Sequence, residues 1–473
     1  MKLQTSDFLL HQKDKLREII KRLQPDFAYV SILGTDVFGS EYRVISSGNR
    51  VTPSPDTERG FVLRVMQDSG FSEYSFNVID VDAVCDAMRS IAQADRKLYL
   101  SRHEALPYDS KPEDTKLDIF SVREAEILPG EENPEEILSS LQKVHDEVRE
   151  RHPRVVQLAL CLSVTQVNKI FLSPNKDLYQ SYAYSNLVSF AMAADENNVR
   201  NDYDSVSGLG GAEIIKAAAD LAEKAASQAE ELLSCEKIEP GVYDMICSPE
   251  VTGLIAHEAF GHGSEMDMFV KNRAKGQEYL KHRVASDLVV MHDGAAAGEE
   301  VSSYAFDDEG TPAGDCRIID KGIFSMGMCD ELSALQLHVE ATGNGKRESW
   351  QRKAYTRMTN TYFAPGDDSL EDMIRSISHG YLLEGGMSGM EDPKNWGIQC
   401  VATRGREIRD GKLTGRIVSP VYLTGYVPDL LQSISMISPE LRLSGSGYCG
   451  KGWKEWVKVS TGGSYIKARG NLN

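Results

Sequence analysis

The feature that most constrains this chain is the segment 256–262, which reads AHEAFGH. Two histidines with a glutamate directly after the first are typical of zinc hydrolases, in which the imidazoles bind the metal and the carboxylate transfers protons. The usual motif places its histidines at i and i+4, roughly 40° apart around a helix, whereas His257 and His262 are at i and i+5, roughly 140° apart. A regular α-helix cannot direct both imidazoles at one ion. We therefore predict a helix that opens or carries a π-type bulge, and Gly261 is where its backbone deforms most easily.

Length and composition limit the classes of protein that remain. A chain of 473 residues is too long for one hydrophobic core, so we expect two or three domains. No apolar run has transmembrane length, and residues 1–14 lack the order of a signal peptide, so we expect a cytoplasmic location. The net charge of −19 argues against direct nucleic-acid or membrane partners. The eight cysteines are scattered without a CxxC pair, which argues against a disulfide framework.

The first half predicts an α+β region with an antiparallel sheet and flanking helices. Helical spacing of apolar residues covers 6–23 and 81–94, a charged helix covers 134–151, and an Ala- and Glu-rich helix covers 212–234. The runs that predict strands are 27–33, 42–46, 60–66 and 74–78, and 155–166 with 169–172 resembles a hairpin. The polar segment 106–116 contains two prolines and is a candidate linker. We predict an N-terminal region over 1–235, with a subdivision near 106–116.

The second half predicts a different architecture. Residues 241–247 form a candidate strand, and Pro249 suits the first turn of the helix that carries the histidines. Beyond about residue 284 the sequence consists of short strand patterns separated by turn signals such as Asp293-Gly294 and Asp410-Gly411. We predict a mostly antiparallel β domain over 236–473 that carries the metal-binding helix.

The histidine segment lacks a third metal ligand, because a catalytic zinc typically has three protein ligands and a water. The candidates are Glu265, Asp267, His282, His292, His338, His379 or a cysteine. Among the cysteines, Cys449 lies in a glycine-rich turn that lets the backbone approach closely and aim one side chain, although an inert buried cysteine is the commoner outcome. Glu265 and Asp267 are also candidates for orienting the imidazoles. For these two acids we favour solvated positions beyond the end of the helix.

Several stretches together resemble the TldD/PmbA family, specifically its motif-bearing TldD branch. They are HEAFGHGSEMD at 257–267, RMTNTY at 357–362 followed by Pro365-Gly366, IRDGK at 408–412, Gly425, ISMI at 434–437 and YCGK at 448–451. These stretches occur in the family's order and span most of the second half. The first half resembles the family only in its pattern of elements.

The resemblance implies a cytoplasm-facing zinc metallopeptidase. It assigns His257, His262 and Cys449 as ligands of Zn²⁺ and Glu258 as the catalytic glutamate. It also implies an N-terminal α+β region, a β-rich metal domain and a dimer that encloses the active site. The dimer is either a homodimer or a heterodimer with a TldE/PmbA-like subunit that lacks the motif. Substrates in the family are unfolded peptides, including modified precursors whose leader is removed.

Together, the residues and the resemblance predict hydrolysis of unfolded or extended peptides by a water that zinc and Glu258 activate. An alternative from another class is a non-catalytic interaction or regulatory subunit, which family naming links to modulation of DNA gyrase and to toxin systems. A third hypothesis is a metal that only stabilises the domain. The intact HExxxH segment together with Cys449 favours catalysis, since a pure partner subunit has no reason to keep all four groups.

Overall fold

The computed structural model describes residues 1–67, 70–101, 111–452 and 454–473. The helices are α1 Asp7–Leu23, α2 Val81–Ser101, α3 Pro134–Arg151, α4 Ala218–Glu231, α5 Pro249–Ile255, α6 Asp267–Val270, α7 Glu331–Leu337, α8 Leu370–Arg375 and α9 Val427–Gln432. The strands are β1 Tyr29–Ile45, β2 Gly48–Pro53, β3 Glu58–Gln67, β4 Gly70–Phe76, β5 Leu117–Val122, β6 Val155–Leu172, β7 Lys176–Ala194, β8 Val199–Leu209, β9 Gly241–Cys247, β10 Met291–Asp293, β11 Cys316–Asp320, β12 Ile323–Phe324, β13 Gly345–Lys346, β14 Tyr355–Thr356, β15 Asn360–Phe363, β16 His379–Asp392, β17 Gly397–Arg409, β18 Lys412–Val418, β19 Val421–Tyr426, β20 Met436–Ile437, β21 Arg442–Ser444, β22 Tyr448–Lys451, β23 Lys454–Lys458, β24 Ser460–Gly463 and β25 Ile466–Leu472. Within the described ranges, none of the helices is long and apolar enough to span a membrane.

The N-terminal region is organised around one large, mostly antiparallel sheet. Its strand order is β4-β3-β1-β6-β7-β5, with β2 beside β1 and β8 beside β7. Successive side chains of a strand point to opposite faces. One face of β1 and β6 packs against α1 and α2 at one end and against α3 and α4 at the other. The opposite face packs against C-terminal residues such as Tyr304 and Phe306. The first nine residues of β1 are therefore buried on both faces, whereas β2 at the edge of the sheet is mostly exposed.

Several predicted N-terminal elements differ in extent from the observed ones. The runs 27–33 and 42–46 belong to the single strand β1, and the predicted hairpin over 155–172 is the single strand β6, whose hairpin partner is β7. The predicted helix over 212–234 is α-helical only in α4, with a 3₁₀ turn at each end. In the candidate linker, residues 106–110 lie outside the described residues, and 111–116 form neither helix nor strand. The subdivision there and the boundary at 235 stay predictions.

The C-terminal region contains a closed sheet and a second, open one. In the order β16-β9-β25-β19-β17 each strand pairs with the next, and β17 also pairs with β16, so the sheet closes on itself. The second sheet has the order β12-β11-β10-β15-β24-β21. Most pairs are antiparallel, apart from β9 with β16 and β15 with β24. The predicted α+β class with a β-rich C-terminal region is confirmed, although α7, α8 and α9 lie where mostly strands and turns were expected.

Helix α5 lies between these two C-terminal sheets, and glycines allow its close packing. A Cβ on Gly253 of α5 would lie 2.7 Å from the backbone nitrogen of Gly462 on β24. On the other side, a Cβ on Gly386 of β16 would lie 3.0 Å from the carbonyl oxygen of Glu250. Backbone contacts of this kind fix the helix that leads into the histidine segment.

Candidate metal centre

The histidine segment begins as a regular helix and then changes its hydrogen-bonding period. Helix α5 ends at Ile255, and a π-helical turn follows over Ala256–Gly261. The backbone N–H of His262 donates to the carbonyl of His257, five positions earlier. A turn that is wider by one residue brings positions i and i+5 to the same face. The predicted π-type distortion near Gly261 is therefore confirmed.

Gly261 is required by close packing rather than by an unusual backbone angle. Its φ of −59° is an ordinary helical value. A Cβ at this position would lie only 2.3 Å from the thioether sulfur of Met358, which is fully buried. The absence of a side chain lets the π-helical turn approach the segment before β15.

Three predicted ligands converge at this turn. Nε2 of His257 lies 3.2 Å from Sγ of Cys449, and Nε2 of His262 lies 3.4 Å from the same sulfur. Among the described residues they form the one group of three or more potential ligands whose donor atoms all lie within 4.8 Å of one another. A tetrahedral zinc with its usual bond lengths separates a nitrogen and a sulfur ligand by about 3.6 Å. The donor set and its spacing therefore fit Zn²⁺, and three protein ligands are typical of a catalytic site.

The other histidine candidates for the third ligand lie outside this group. Nδ1 of His292 is 2.7 Å from Oδ1 of Asp315, and its ring stacks on Tyr362. Nε2 of His379 is 3.8 Å from Oε1 of Glu407. His282 and His338 are not part of the cluster either.

The charges at the cluster favour a metal-binding thiolate. Burial opposes ionisation of Cys449, but the imidazoles of His262 and His257 hold the pKa of its thiol well below the ordinary value. Burial likewise opposes a charge on His262, but Cys449 and then Glu265 raise the pKa of its imidazole well above the ordinary value. The thiolate is the form of cysteine that binds metals, and a metal ion bound there would displace the proton from the His262 imidazole, since a ligating imidazole is neutral.

Glu258 lies in the π-helical turn directly after His257, and its side chain is half-buried. The side chain runs beside Gly389 of β16, where a Cβ would lie 2.4 Å from Cγ of Glu258 and 3.2 Å from its Cδ. Glycine at this position leaves room for the glutamate. The side chain of Glu258 is thus confined against β16 without being fully buried.

The expectation that Glu265 and Asp267 are solvated is wrong. Glu265 is 1% exposed and Asp267 is 6% exposed. Nζ of Lys451 lies 2.9 Å from Oε2 of Glu265 and 2.8 Å from Oδ1 of Asp267, and this cation offsets the cost of burying the carboxylates. Burial raises the pKa of Glu265, but Lys451 and then His262 lower it more, so the net pKa is well below the ordinary value.

Two residues near the cluster were missed by the sequence reasoning. Arg357 is fully buried and donates to the carbonyl of Cys449 over 2.7 Å. Glu391 of β16 packs against Gly263, where a Cβ would lie 2.8 Å from its Oε1. Burial raises the pKa of Glu391 well above its ordinary value, although His262 opposes this shift. Arg357 lies in the RMTNTY stretch that resembles the family, so that stretch could have identified it. Glu391 lies in none of the stretches that resemble the family.

A cavity of about 670 Å³ lies between the two halves of the chain, on the far side of the hairpin formed by β22 and β23. Tyr448, Trp456 and Lys458 of this hairpin line the cavity, whereas the three metal-donor residues do not. Alternate residues of a strand face opposite sides. The hairpin therefore presents Cys449 to the histidines and Tyr448 to the cavity.

Comparison with known proteins identifies the protein family that carries this site. The sequence profile described as the PmbA/TldA metallopeptidase C-terminal domain matches residues 240–466, which include every residue of the cluster. Residues 240–466 are a C-terminal domain of the TldD/PmbA family. This match confirms the resemblance that the sequence motifs indicated.

Relatives of this chain carry metalloprotease names. A metalloprotease of Methanocaldococcus jannaschii is 31% identical over 276 residues, which cover 58% of this chain and 60% of that protein. A zinc metalloprotease TldD homolog of Saccharolobus solfataricus is 29% identical over 357 residues, which cover 71% of this chain and 75% of that protein. The match to the first relative thus spans about three fifths of its length.

Solved structures show the same fold along almost the whole chain. A putative modulator of a DNA gyrase from Thermotoga maritima has a TM-score of 0.77 at 17% identity, covering 98% of this chain and all of that one. TldE from Thermococcus kodakarensis has a TM-score of 0.74 at 18% identity, covering 97% of this chain and 99% of that one. At these identities the similarity establishes the fold alone.

Proposed function

We propose that this chain is a zinc-dependent metallopeptidase that hydrolyses unfolded or extended peptides. The observation that carries the proposal is the convergence of His257, His262 and Cys449 at a π-helical turn that also holds Glu258. The metalloprotease names of the relatives support the reaction class, and one of these names supports zinc.

Each residue of the cluster has a distinct role in this proposal. His257 and His262 would hold the metal through Nε2, and Cys449 would hold it through Sγ. When bound, Zn²⁺ supplies a Lewis acid that polarises the peptide carbonyl and lowers the pKa of water. Glu258 acts as the general base that accepts a proton from the attacking water, and it then donates this proton to the nitrogen of the leaving amine.

The proposed substrate class is the one that a strand edge of a β-rich domain would bind. An extended peptide that adds along a strand edge is held by main-chain hydrogen bonds, so this mode accepts many sequences but requires an unfolded substrate. We therefore expect cleavage of a reduced, alkylated protein and no cleavage of the same protein in its native, disulfide-bonded form. Equal cleavage of both forms would contradict the substrate class without affecting the metal site.

Replacement of Glu258 by glutamine tests the reaction. Glu258→Gln keeps the shape of the side chain but removes the base, so we expect wild-type zinc content and cleavage of peptides slower by about 10²–10⁴-fold. Glu250→Gln is a matched control, because Glu250 lies in the first turn of the preceding helix and its carboxylate accepts from Ser248. Equal cleavage by wild type and Glu258→Gln would refute the proposal.

The same pair of variants separates the alternative functions. A metal that only stabilises the domain predicts that zinc removal lowers the melting temperature while Glu258→Gln changes nothing measurable. A regulatory subunit, as suggested by the gyrase-modulator name of one structural neighbour, predicts no cleavage by the wild type. Neither unchanged cleavage by Glu258→Gln nor an inactive wild type is expected here, since the proposed general base directly follows the candidate ligand His257 in the π-helical turn.

We further propose that the chain works in the cytoplasm as a homodimer or as a heterodimer with a TldE/PmbA-like subunit. The fold shared with TldE supports a partnership of this kind. Light scattering of the chain alone, and after mixing with a motif-lacking relative from the same genome, distinguishes the two assemblies. A monomer under both conditions would contradict the proposal. No direct nucleic-acid or membrane partner is proposed.

A further inference from the structure

Lys451 connects the hairpin that carries Cys449 to the segment that carries His262. It lies two residues after Cys449 on β22. Its ammonium group makes hydrogen bonds of 2.9 Å to Glu265, 2.8 Å to Asp267 and 3.0 Å to the carbonyl of Thr356. These three contacts use all three donors of the ammonium group. Lys451 is therefore fixed in position although part of its side chain is exposed.

Glu265 extends this contact to a candidate metal ligand. The carboxylate oxygen that accepts from Lys451 also lies 3.3 Å from Nδ1 of His262. The other ring nitrogen, Nε2, is the one that points at Cys449. A carboxylate on the distal nitrogen fixes the tautomer and the orientation of a ligating imidazole. Glu265 thus orients His262 while it is itself held by Lys451.

Arg357 completes the link from the opposite side of the carboxylate. Its Nε lies 3.5 Å from Oε1 of Glu265, and its guanidinium also donates to the carbonyl of Cys449. Two cations therefore bracket one carboxylate, and each is tied to the Cys449 hairpin. Glu265 and Lys451 are separated by 186 positions in sequence, so this contact joins two distant parts of the chain.

We propose that Lys451 and Glu265 are positioning residues of the metal centre, and that their ion pair sets the placement of Cys449 relative to the imidazole of His262. The inference rests on the proposed function, because it concerns the same site. Neither residue is among the three candidate ligands. Without the pair, the hairpin keeps only its link to Glu265 through Arg357, and Cys449 is held less firmly against the imidazole of His262.

The test measures metal affinity rather than peptide cleavage. Zinc affinity of Lys451→Met is compared with that of wild type by competition with a chromophoric chelator, and the absorption of the Co²⁺-substituted protein reports thiolate ligation. Lys458→Met is the matched control, since it removes one positive charge from the same hairpin. The Lys458 ammonium lies over the Tyr448 ring at the cavity, on the face away from Glu265.

We expect Lys451→Met to raise the zinc Kd by about 10–100-fold and to weaken the thiolate-to-cobalt absorption, in line with the loss of groups that orient ligands. Lys458→Met should stay within about twofold of wild type, and Lys451→Arg should recover part of the affinity. A folded Lys451→Met protein with wild-type Kd and cobalt spectrum would overturn the inference.

A second variant covers the case in which Lys451→Met does not fold. Glu265→Gln removes the charge from the other end of the pair but keeps an acceptor, and its expected zinc Kd is raised by about tenfold. A wild-type Kd for Glu265→Gln would overturn the inference as well. Failure of the proposed function looks different, because in that case the wild-type chain itself binds no zinc or cleaves no peptide.

Discussion

Replacement of Gly261 by alanine tests whether the π-helical turn depends on its close approach to Met358. In an ordinary helix this change stabilises a protein by about 1 kcal/mol, because alanine has the higher helix propensity. Here the new methyl group would lie 2.3 Å from the sulfur of Met358. Favourable contacts between heavy atoms occur at about 3.5–4.0 Å, so the overlap exceeds 1 Å. Met358 has no exposed surface and cannot move into solvent.

The expected magnitude follows from these two opposing effects. Overpacking a well-filled site costs about 1–3 kcal/mol. In a Met358→Ala background the obstacle is gone, and Gly261→Ala should be neutral or stabilising. The double-mutant cycle therefore predicts a coupling free energy of about 1–3 kcal/mol between the two positions. Gly425→Ala is the control, since a Cβ there meets no atom within 4 Å.

The assay is thermal unfolding of the wild type, both single variants and the double variant, with Gly425→Ala alongside. Zinc affinity provides a second readout. If the π-helical turn shifts to relieve the overlap, the two histidines separate and zinc binds more weakly. Each 1.4 kcal/mol lost from the free energy of binding raises the zinc Kd about tenfold. A coupling free energy below about 0.5 kcal/mol would refute the reasoning. It would show that the turn does not need the contact that the glycine permits.

Three further predictions concern other parts of the molecule. Burial raises the pKa of Glu58 from 4.5 to about 7, so the folded state favours the protonated carboxyl. The free energy of unfolding should therefore fall as the pH rises from about 4.5 to 7. The glutamine of Glu58→Gln can still accept a hydrogen bond from the N–H of Trp350. This variant should therefore be more stable than wild type at pH 8, by up to about 3 kcal/mol, and equal to it near pH 4. Urea unfolding at both pH values measures the difference. Asp202→Ala leaves the buried guanidinium of Arg404 without its closest carboxylate and should cost about 3 kcal/mol in thermal unfolding, whereas Asp204→Ala at a surface ion pair should cost less than about 1 kcal/mol. Removal of zinc by a chelator should lower the melting temperature. Relative to protein held at a zinc concentration 1,000 times the Kd, the free energy of unfolding should fall by about 4 kcal/mol. An unchanged melting temperature would contradict metal binding to the folded state.

Elements with strong local signals could be predicted from the sequence with accurate bounds. The helix Pro134–Arg151 was predicted over its observed length as a charged helix, and the structure shows that Asn133 caps it and that Pro134 begins it. The strand Gly241–Cys247 was also predicted with its observed bounds. Local rules held at these elements because packing and propensity favour the same conformation.

The π-helical turn could be predicted for a different reason. The i, i+5 spacing of His257 and His262 is incompatible with convergence on a regular helix, so the assumption of a shared metal dictated a distortion. The same reasoning could not choose the third ligand, because Cys449 is 192 positions from His257 and no local pattern reports such a distance. The family resemblance supplied that residue.

The burial of Glu265 and Asp267 was predicted wrongly for the same physical reason. Acidic residues after a helix end are usually solvated, and only a buried cation nearby reverses that preference. Here the cation is Lys451, which comes from a hairpin far along the chain. Strand β8 shows the same limit, since its polar side chains carry no strong alternation and its pairing with β7 decides its conformation.

The central claim is that His257, His262 and Cys449 hold one zinc ion, and anomalous diffraction at the zinc absorption edge tests it most directly. Crystals grown with zinc should show one strong anomalous peak about 2.0–2.1 Å from Nε2 of each histidine and about 2.3 Å from the cysteine sulfur. Crystals of Cys449→Ser grown in the same way should show a much weaker peak. A wild-type crystal without a peak among these three atoms, or a peak of equal height in Cys449→Ser, would contradict the claim.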